Sequence, residues 1–332
     1  MKNLDNLFII RSPLQLINSL EAIEYFKLKN NILVLIYNNT DNTNIQMDKM
    51  ANYYSWKKII TVNKEQKKSK MLDYVKLIKK LKITSYNYVF FSNFGSVQRI
   101  ILANLKIKNL FFVDDGVETI NRYEEIFVKN KINKFRVKLA RFWLFGLKTK
   151  IKNTINLFTY FDLKPFRGSK VIQNNLEHFQ KKYLKESLKD NYVYLLGQPL
   201  VSTNLLSVKD YFLYIDKILS SVNEKIIYIP HRTEVISERL KLYESELFEI
   251  KNLNMPVEMY FLENKIYPLH VVSFMTTAFF TLKKLFSKTK FSYVYIPRSK
   301  ILERHDDVEG AYRFIEELEL NKIELDEKIL KL

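Results

Sequence analysis

The sequence predicts an α/β protein with two doubly wound domains, each built on a parallel β-sheet. Short apolar runs rich in β-branched and aromatic residues recur along the chain, as expected for strands that are buried on both faces. Stretches with apolar residues at helical spacing alternate with these runs, and this alternation is typical of parallel sheets. The chain has 332 residues, enough for two domains of ordinary size, and we predict domains at 1–160 and 161–332.

The composition excludes several classes of protein. With 47% hydrophobic residues, 6 glycines and 7 prolines, the chain is globular and not of low complexity. It has no cysteine, so neither disulfides nor a thiolate metal site can contribute. The apolar run near the N-terminus is too short for a signal peptide, and no later run approaches the roughly 20 residues of a spanning helix. We therefore expect a cytoplasmic protein.

The net charge of +18 implies attraction to polyanions. Nucleic acid, an anionic membrane face and phosphate-bearing substrates are all candidates. A composition rich in Asn, Lys and Ile also arises in an AT-rich genome, which accounts for scattered lysines but not for local clusters.

The first predicted unit is a strand, a loop and a helix. Leu7–Ile10 is the strand, Arg11–Gln15 is the turn, and apolar residues at helical spacing follow over 16–26. Ser12 and Gln15 lie where a sugar or a carboxylate could meet the first turn of a helix. Helix capping is the commoner role for such a serine.

Further alternating elements complete the first domain. They are a strand at Ile32–Tyr37, an Asn/Thr/Asp-rich loop at 38–44, a basic helix at Lys64–Lys82, and then a strand at Tyr88–Phe91, a helix at Ser96–Leu105 and a strand at Leu110–Val113.

The last strand runs directly into Asp114, Asp115 and Gly116. Two adjacent acids at a strand end can leave one with a raised pKa, as a general base requires. A plain Asp-Gly turn is the commoner interpretation.

The segment 129–150 interleaves lysines and arginines with large apolar residues. This pattern suits an amphipathic helix that lies on an anionic membrane surface. A buried helix whose lysines reach out to solvent is equally compatible with it. No recognised nucleic-acid module accompanies the segment, so we do not expect a nucleic-acid partner.

The second domain contains a strand that stops abruptly at a proline. Ile226–Ile229 is the strand, Pro230 ends it, and His231 and Arg232 follow. Open α/β sheets bind ligands at the carboxyl ends of their strands, and arginine suits phosphate or carboxylate. For a lone His-Arg pair, a solvated polar turn is the simpler interpretation.

Two further parts of the second domain carry candidate residues. Ser207 is predicted to cap a helix, with Asp210 at the third position as a capping carboxylate. Ser273, Thr276 and Thr277 follow a strand at 269–272 and open an apolar helix, where hydroxyl groups and free N–H groups can bind an anion.

The remaining predicted elements of this domain are a strand at Tyr192–Leu196, a helix at about Thr233–Leu247, a last strand at Ser292–Ile296 and an acidic helix at Val308–Leu318.

Four motifs in this order resemble the bacterial sialyltransferases of glycosyltransferase family 52, which include lipooligosaccharide sialyltransferases. They are Asp114-Asp115-Gly116, Gly197-Gln198-Pro199-Leu200, Ile229-Pro230-His231-Arg232-x-Glu234 and Ser273-Phe274-x-Thr276-Thr277-Ala278. Ser12-Pro13-Leu14-Gln15 is similar to the opening of that family as well. The resemblance covers about residues 7–300, and the combination is far more specific than any single motif.

The resemblance implies a GT-B-type fold, with two Rossmann-like domains whose parallel sheets face a central cleft. It implies that the first domain lies on the acceptor side and that the second binds the donor, CMP-sialic acid. The acceptor would be a galactose-type hydroxyl of a bacterial surface glycan such as lipooligosaccharide or capsule. The transfer would be inverting and would need neither a metal nor another cofactor.

Residue roles follow from the resemblance position by position. His231 would meet the donor phosphate, with Thr276 and Thr277 near it, and Glu258 would hold the ribose hydroxyls. The general base would be either Asp115 or Asp210, and spacing does not decide between them. The other predicted substrate-binding residues are Ser12, Gln15, Asp114, Gly197, Gln198, Pro230, Arg232 and Ser273.

Two alternatives stay open at this stage. One is a GT-B glycosyltransferase that uses another nucleotide sugar, because a fold does not determine a substrate. The other, from a different class, is a non-catalytic basic protein that binds a membrane or nucleic acid. Peripheral attachment to the inner face of the cytoplasmic membrane through 129–150, and a homodimer, are further expectations.

Overall fold

The computed structural model describes residues 4–37, 41–63, 71–134 and 137–324. The chain divides into two compact units, Met1–His178 and Phe179–Leu332. In both units strands alternate with helices, and every strand pairing in the described residues is parallel except an isolated antiparallel bridge between Ser245 and Phe248.

The first unit contains a seven-stranded sheet. Its strands are β1 (Asp5–Ile10), β2 (Asn31–Ile36), β3 (Lys58–Val62), β4 (Ser85–Phe91), β5 (Lys106–Val113), β6 (Ile155–Thr159) and β7 (Val171–Gln173). Its helices are α1 (Pro13–Tyr25), α2 (Asp41–Ala51), α3 (Met71–Leu81), α4 (Ser96–Asn104), α5 (Val117–Arg122) and α6 (Val137–Ala140), with a π-helical turn at Tyr123–Val128. Helix α7 (Glu177–Tyr183) leads into the second unit.

The second unit contains a six-stranded sheet and a two-stranded one. Its strands are β8 (Leu188–Lys189), β9 (Val193–Leu196), β10 (Ile226–Ile229), β11 (Phe248–Ile250), β12 (Ile266–Tyr267), β13 (His270–Ser273), β14 (Lys290–Val294) and β15 (Asn321–Ile323). Its helices are α8 (Val208–Ser220), α9 (Glu238–Lys241), α10 (Val257–Glu263), α11 (Ala278–Leu285) and α12 (His305–Glu316).

The apolar runs of the sequence form strands that are buried on both faces. Alternate residues of β1 belong to different packed layers, so that Leu7 lies in one cluster while Phe8 stacks on Phe90 with ring centroids 4.8 Å apart. Phe90 also stacks on Phe111 of the next strand, at 5.5 Å. Burial of both faces explains why these strands show no polar alternation.

The strand orders place one crevice in each unit. The first sheet runs β3-β2-β1-β4-β5-β6-β7 and the larger second sheet runs β11-β10-β9-β13-β14-β15. Each order reverses direction once, between β1 and β4 in the first sheet and between β9 and β13 in the second. Ligands of such sheets bind outside the carboxyl ends of the strands at that reversal. The structure therefore confirms the α/β prediction of Rossmann-like parallel sheets and indicates where each sheet can bind a ligand.

The prediction of one amphipathic helix over 129–150 is wrong. The segment forms short turns at Lys131–Asn133, α6 and Trp143–Phe145 instead. Asn130 and Gly146 adopt left-handed backbone conformations, with φ of 53° and 68°, and such residues interrupt a right-handed helix. Residues 135–136 lie outside the described part of the chain.

A second correction concerns the helix expected over 233–247, of which only α9 forms. The turn before it is held by side-chain bonds of Glu234, and Ser237 caps the short helix.

Other predicted boundaries differ from those in the structure, two of them because of strand pairing. The predicted domain boundary after residue 160 lies before β7, which pairs with β6 and extends the first sheet. Likewise β14 is not the last strand, since β15 pairs with it. Residues 41–44, predicted as loop, begin α2, and the described part of the predicted basic helix is α3; residues 38–40 and 64–70 lie outside the described chain.

Candidate active site

In the first unit, Asp114 ties the ends of neighbouring strands together. Its side chain is fully buried, and its Oδ2 accepts a hydrogen bond of 2.7 Å from the backbone N–H of Tyr160, just after β6. Its backbone carbonyl accepts a bond of 3.1 Å from Nδ2 of Asn18 on α1. Burial raises the pKa of Asp114 to about 7, although the hydrogen bond from Tyr160 opposes the rise. Asp114 therefore positions the residue after it and has no exposed surface for a ligand.

Asp115 is the acid that remains accessible. Its Oδ1 accepts a hydrogen bond of 2.7 Å from Nε2 of Gln15, a residue that is itself only 1% exposed. The backbone N–H of Asp115 donates to Oγ1 of Thr119 at 2.9 Å. Gly116, which follows, has φ 66° and ψ −147°, a conformation that is essentially restricted to glycine. These contacts hold the carboxylate of Asp115 in one orientation at the end of β5.

Gln15 and Ser12 complete this group at the start of α1. Oε1 of Gln15 accepts a bond of 2.8 Å from the backbone N–H of Arg11. Ser12 caps the helix and accepts from the backbone N–H of Gln15 at 3.4 Å, so the commoner role of a capping serine is confirmed for it. The ends of three strands, β1, β5 and β6, are thus linked by hydrogen bonds.

In the second unit, Glu234 organises the turn that carries His231. Its Oε2 accepts the backbone N–H of His231 at 3.0 Å, and its Oε1 accepts hydrogen bonds from the hydroxyl groups of Tyr228 and Tyr211. The two tyrosine hydroxyls also lie 2.7 Å apart. Burial raises the pKa of Glu234, while its bonds from Tyr228 and His231 act in the opposite direction. A half-buried acid that accepts several hydrogen bonds makes a rigid turn directly after β10.

The ring of His231 is held in one tautomer. The backbone N–H of Thr233 donates to Nδ1 at 3.2 Å, and the Thr233 hydroxyl lies 2.8 Å from the same atom. A backbone N–H can only donate, so Nδ1 must accept and the proton of the neutral ring must be on Nε2. Burial, and then the charge of Arg232, lower the pKa of His231 to about 4. At neutral pH the ring is therefore an uncharged donor through Nε2–H.

Gly197 must be glycine for a packing reason. A Cβ at this position would lie 2.2 Å from the Tyr228 hydroxyl and 2.4 Å from Oε2 of Glu234. The end of β9 thus approaches the buried network under His231 more closely than any side chain would permit.

The ends of β9 and β13 are also joined by hydrogen bonds. Ser273 is fully buried and donates to the carbonyl of Leu196 at 2.7 Å, while Oε1 of Gln198 accepts the backbone N–H of Met275 at 3.0 Å. Both residues therefore shape the crevice.

Thr276 and Thr277 stand at the start of α11, beyond the end of β13. Thr276 accepts from the backbone N–H of Ala278 at 3.2 Å. Thr277 is the residue that precedes the helix and is partly exposed, and its hydroxyl makes no hydrogen bond within the described chain.

Two predicted residues are less accessible than the predictions require. Glu258 is 6% exposed, and its Oε1 accepts a bond of 2.5 Å from Thr281. Burial raises the pKa of Glu258.

The carboxylate of Asp210, at the start of α8, already has two partners. It accepts a hydrogen bond of 2.7 Å from the Ser207 hydroxyl and lies 3.0 Å from Nζ of Lys300. Although burial alone would raise the pKa of Asp210, the bonds from Ser207 and Lys300 outweigh it and the pKa is lowered.

Sequence reasoning missed the supporting residues of the His231 turn. Glu234 belongs to the quoted motif but has no predicted role in it. Tyr228 is predicted only as part of the strand Ile226–Ile229, and no role is predicted for Tyr211. The available signal was an acid three residues after a histidine that follows a buried strand, since such an acid can reach back to the backbone of the turn.

The described residues contain no group of three or more His, Asp or Glu side chains that could hold a metal ion. Nor does this part of the chain contain a helix that is long and apolar enough to cross a membrane.

Solved structures with low sequence identity share the fold. One is a protein from Listeria monocytogenes described as a UDP-N-acetylglucosamine 2-epimerase, with 11% identity and a TM-score of 0.52, covering 96% of this chain and 88% of that one. Another is S. aureus MnaA in a co-structure with UDP, with 10% identity and a TM-score of 0.50, covering 95% and 88%. Together with the two parallel sheets, they support the GT-B-type fold. No curated protein sequence matches the chain.

A family model described as alpha-2,8-polysialyltransferase matches residues 6–295. The match spans all the motifs quoted above, from Ser12 to Ala278, and confirms the resemblance to bacterial sialyltransferases. Such a family implies an enzyme with a nucleotide-sugar donor and a glycan acceptor. The chain therefore belongs to the alpha-2,8-polysialyltransferase family and is a glycosyltransferase.

Proposed function

We propose that the protein is an inverting sialyltransferase that moves sialic acid from CMP-sialic acid to a hydroxyl of a bacterial surface glycan, lipooligosaccharide or capsule. The observation that carries the proposal is the fixed His231 ring at the end of β10, with Nδ1 occupied and Nε2–H free of the turn's own bonds. CMP is a monophosphate leaving group, and one well-placed N–H donor matches the charge that develops on it.

The proposed reaction is a single displacement. Asp115 takes the proton of the acceptor hydroxyl while that oxygen attacks the anomeric carbon of sialic acid. The bond from the anomeric carbon to the phosphate oxygen breaks, and CMP departs with the bonding electrons. His231 donates a hydrogen bond, and Arg232 contributes positive charge, to the departing phosphate.

Hydroxyl and backbone donors complete the proposed phosphate site. The free hydroxyl of Thr277 and the first N–H groups of α11 follow β13, the strand next to β9, which in turn pairs with β10. Donors at a helix start favour an anion. We propose that these groups and His231 make a metal unnecessary.

Asp115 is the better candidate for the general base. Its carboxylate is partly exposed and is held by the amide of Gln15. Asp210, by contrast, is engaged by Ser207 and Lys300 and has a lowered pKa, which makes it a weak proton acceptor.

Two hydroxyl groups are candidates for the acceptor of the transferred sugar. The family resemblance described above implies a galactose-type hydroxyl. The description of the matched family as alpha-2,8-polysialyltransferase favours a second candidate, the 8-hydroxyl of a terminal sialic acid. The same base could activate either alcohol.

The direct test is transfer from CMP-sialic acid to lactose and to sialyllactose, with and without EDTA. We expect product with at least one acceptor, at a rate that EDTA leaves unchanged. UDP- and GDP-sugars serve as donor controls. Transfer only from another nucleotide sugar would favour the alternative glycosyltransferase, and salt-sensitive binding to any polyanion without transfer would favour the non-catalytic alternative.

The choice of base can be tested with matched variants. Asp115→Asn should lower kcat about a hundredfold or more, because the acceptor proton loses its recipient. Asp210→Asn should instead lower the melting temperature through loss of the Lys300 pair, with a much smaller effect on kcat. The reverse order of the two kcat effects would assign the base to Asp210.

His231→Ala should lower kcat about a hundred- to ten-thousandfold with little change in melting temperature. Glu234→Gln should give an intermediate loss, because the turn loses an acceptor for Tyr228 or the His231 backbone. His305→Ala at the start of α12 and Glu238→Gln, at an exposed carboxylate, are the matched controls. Near-normal turnover of His231→Ala would contradict its assignment.

We also propose peripheral attachment to an anionic membrane through 129–150, by exposed groups and not by a continuous helix. Trp143 and Leu144 are 55% and 86% exposed, and the exposed cations Arg141, Lys148 and Lys150 lie close to them in the sequence. The double variant Trp143→Ala/Leu144→Ala should reduce co-sedimentation with phosphatidylglycerol vesicles severalfold, and phosphatidylcholine vesicles should bind weakly. Equal binding to both vesicles would contradict the proposal.

A further inference from the structure

The amino ends of the strands in the first unit carry a row of exposed lysines. Each of the five strands from β2 to β6 has a lysine at its first position or within three residues of it. Because these strands are parallel, their amino ends share one edge of the sheet, opposite the edge that carries Asp115. We call the six exposed residues the lysine edge: Lys29, Lys58, Lys82, Lys106, Lys108 and Lys152.

Acidic residues do little to balance this charge. Asp5 at the start of β1 already lies 2.6 Å from Nζ of Lys57, and Glu24 at the end of α1 lies 3.9 Å from Nδ1 of His178. The last turn of α3 adds two more lysines. No acid occurs in the sequence segments that carry the lysine edge, which are 27–31, 56–59, 79–87, 104–110 and 147–155. The amino edge of the sheet is therefore a cationic surface.

Exposed apolar side chains lie beside these cations. Ile83, in the turn between α3 and β4, is 77% exposed. The segment with Trp143 and Leu144 adjoins the same edge, because the backbone N–H and carbonyl of Lys148 both bond to the side chain of Asn104, at the end of α4, at 2.9 Å. Helix α4 packs against both α3 and α6, so these apolar side chains border one layer of helices.

An anionic bilayer matches both features of this surface. Ammonium groups are attracted to the negative charge of the lipid headgroups, and apolar side chains that protrude between them enter the interface and leave water. A nucleic acid would satisfy the lysines but would leave Ile83, Trp143 and Leu144 exposed to solvent. The combination of the two kinds of side chain therefore favours a lipid surface as the partner.

We propose that the lysine edge and Ile83 lie on an anionic bilayer together with Trp143 and Leu144, so that Asp115 at the opposite edge faces away from the lipid. The inference rests on the proposed function and on the proposed attachment through 129–150. It adds an orientation to both, and it adds residues outside 129–150 to the contact surface.

Strand β5 sets the distance between the bilayer and the candidate base. It begins with Lys106 of the lysine edge and is followed directly by Asp114 and Asp115. Its eight residues rise ~3.3 Å each, which separates the two ends by about 25 Å. The acceptor hydroxyl must therefore stand about that far from the headgroups, and a sugar attached directly to a lipid would not reach Asp115.

The same distance separates binding from catalysis in an experiment. It exceeds the Debye length of about 8 Å at physiological ionic strength, so charges at the lysine edge have little influence on Asp115. Substitutions at the lysine edge should thus change membrane binding and leave kcat for a free acceptor unchanged.

The first test removes two charges of the lysine edge. Lys106→Gln/Lys108→Gln should weaken binding to phosphatidylglycerol vesicles about tenfold or more, because each lysine near an anionic leaflet contributes about fivefold. Lys288→Gln/Lys290→Gln is the matched control, since it removes two exposed lysines at the start of β14 in the second unit. Equal weakening by both pairs would mean that only the net charge matters and would overturn the inference.

The second test measures the orientation, and the absence of cysteine from the chain makes it direct. Single variants Ile83→Cys and Asp41→Cys are labelled with a nitrobenzoxadiazole fluorophore; Asp41 is exposed at the start of α2, near the carboxyl end of β2. On phosphatidylglycerol vesicles the label at 83 should brighten and shift to the blue, and the label at 41 should not. A response at 41, or none at 83, would contradict the orientation.

The third test uses anchored acceptors. The acceptor that is used in free form, lactose or sialyllactose, is coupled to a lipid through a short or a long flexible spacer and placed in phosphatidylglycerol vesicles. The bound enzyme should use the long form and not the short one. Equal use of both forms would refute the distance derived from β5.

Failure of this inference can be told apart from failure of the proposed function. If no acceptor is used in any form, the function fails, whereas the vesicle-binding and fluorescence measurements still decide the orientation without any transfer. If Trp143→Ala/Leu144→Ala weakens vesicle binding while the lysine-edge variant binds normally and the label at 83 is silent, the segment 129–150 attaches alone. That result would refute the inference and leave the function intact.

Discussion

Parallel strand pairing is the constraint on which the rest of each unit depends. Because every strand in a sheet points the same way, every strand ends at the same edge, and polar residues distant in sequence become neighbours there. In the first unit this edge joins Gln15 to Asp115 across one hundred positions of sequence. In the second it joins Gln198 to the backbone of Met275. The chemistry of both units is therefore concentrated in loops, while the strands supply a rigid support.

At both edges an acid whose pKa is raised by burial supports the candidate group beside it. Asp114 has its pKa raised by burial and binds the N–H of Tyr160, so that Asp115 is presented at a fixed orientation. Glu234 is half-buried, its pKa is also raised by burial, and it accepts a hydrogen bond from the backbone N–H of His231. Burying a carboxylate is unfavourable unless donors surround it, and the surrounding donors are what make each turn rigid. The groups that we propose as reacting, Asp115 and His231, are accordingly positioned by residues that themselves need not touch a substrate.

The net positive charge of the chain can be related to a particular kind of ligand only at the sheet edges. As a total, +18 is compatible with nucleic acid, a membrane or a phosphate-bearing substrate. At the end of β1 the positive charge is that of Arg11, which lies near the unpartnered side-chain amide of Gln98 at the start of α4. After β10 it is that of Arg232, which follows the uncharged imidazole of His231. The arrangement after β10 suits a small anionic group such as a phosphate. Membership of a sialyltransferase family agrees with such a ligand, since a nucleotide-sugar donor carries phosphate.

The sequence by itself determined the fold class, most strands and the motifs that identify the family, because buried parallel strands are recognisable as short apolar runs and each ends at a conspicuous polar residue. It also placed Ser207 and Asp210 correctly in a helix cap, since capping is a local interaction. The long helices expected over 129–150 and 233–247 do not form. Residues with left-handed backbone conformations interrupt the first segment, and the hydrogen bonds of Glu234 hold a turn at the start of the second. Nor could the sequence show the neutral state of His231, the roles of Tyr211 and Tyr228, or the unsatisfied amide of Gln98. These features depend on burial and on contacts between distant strand ends, and only the tertiary structure decides which polar groups are desolvated and which donors reach them.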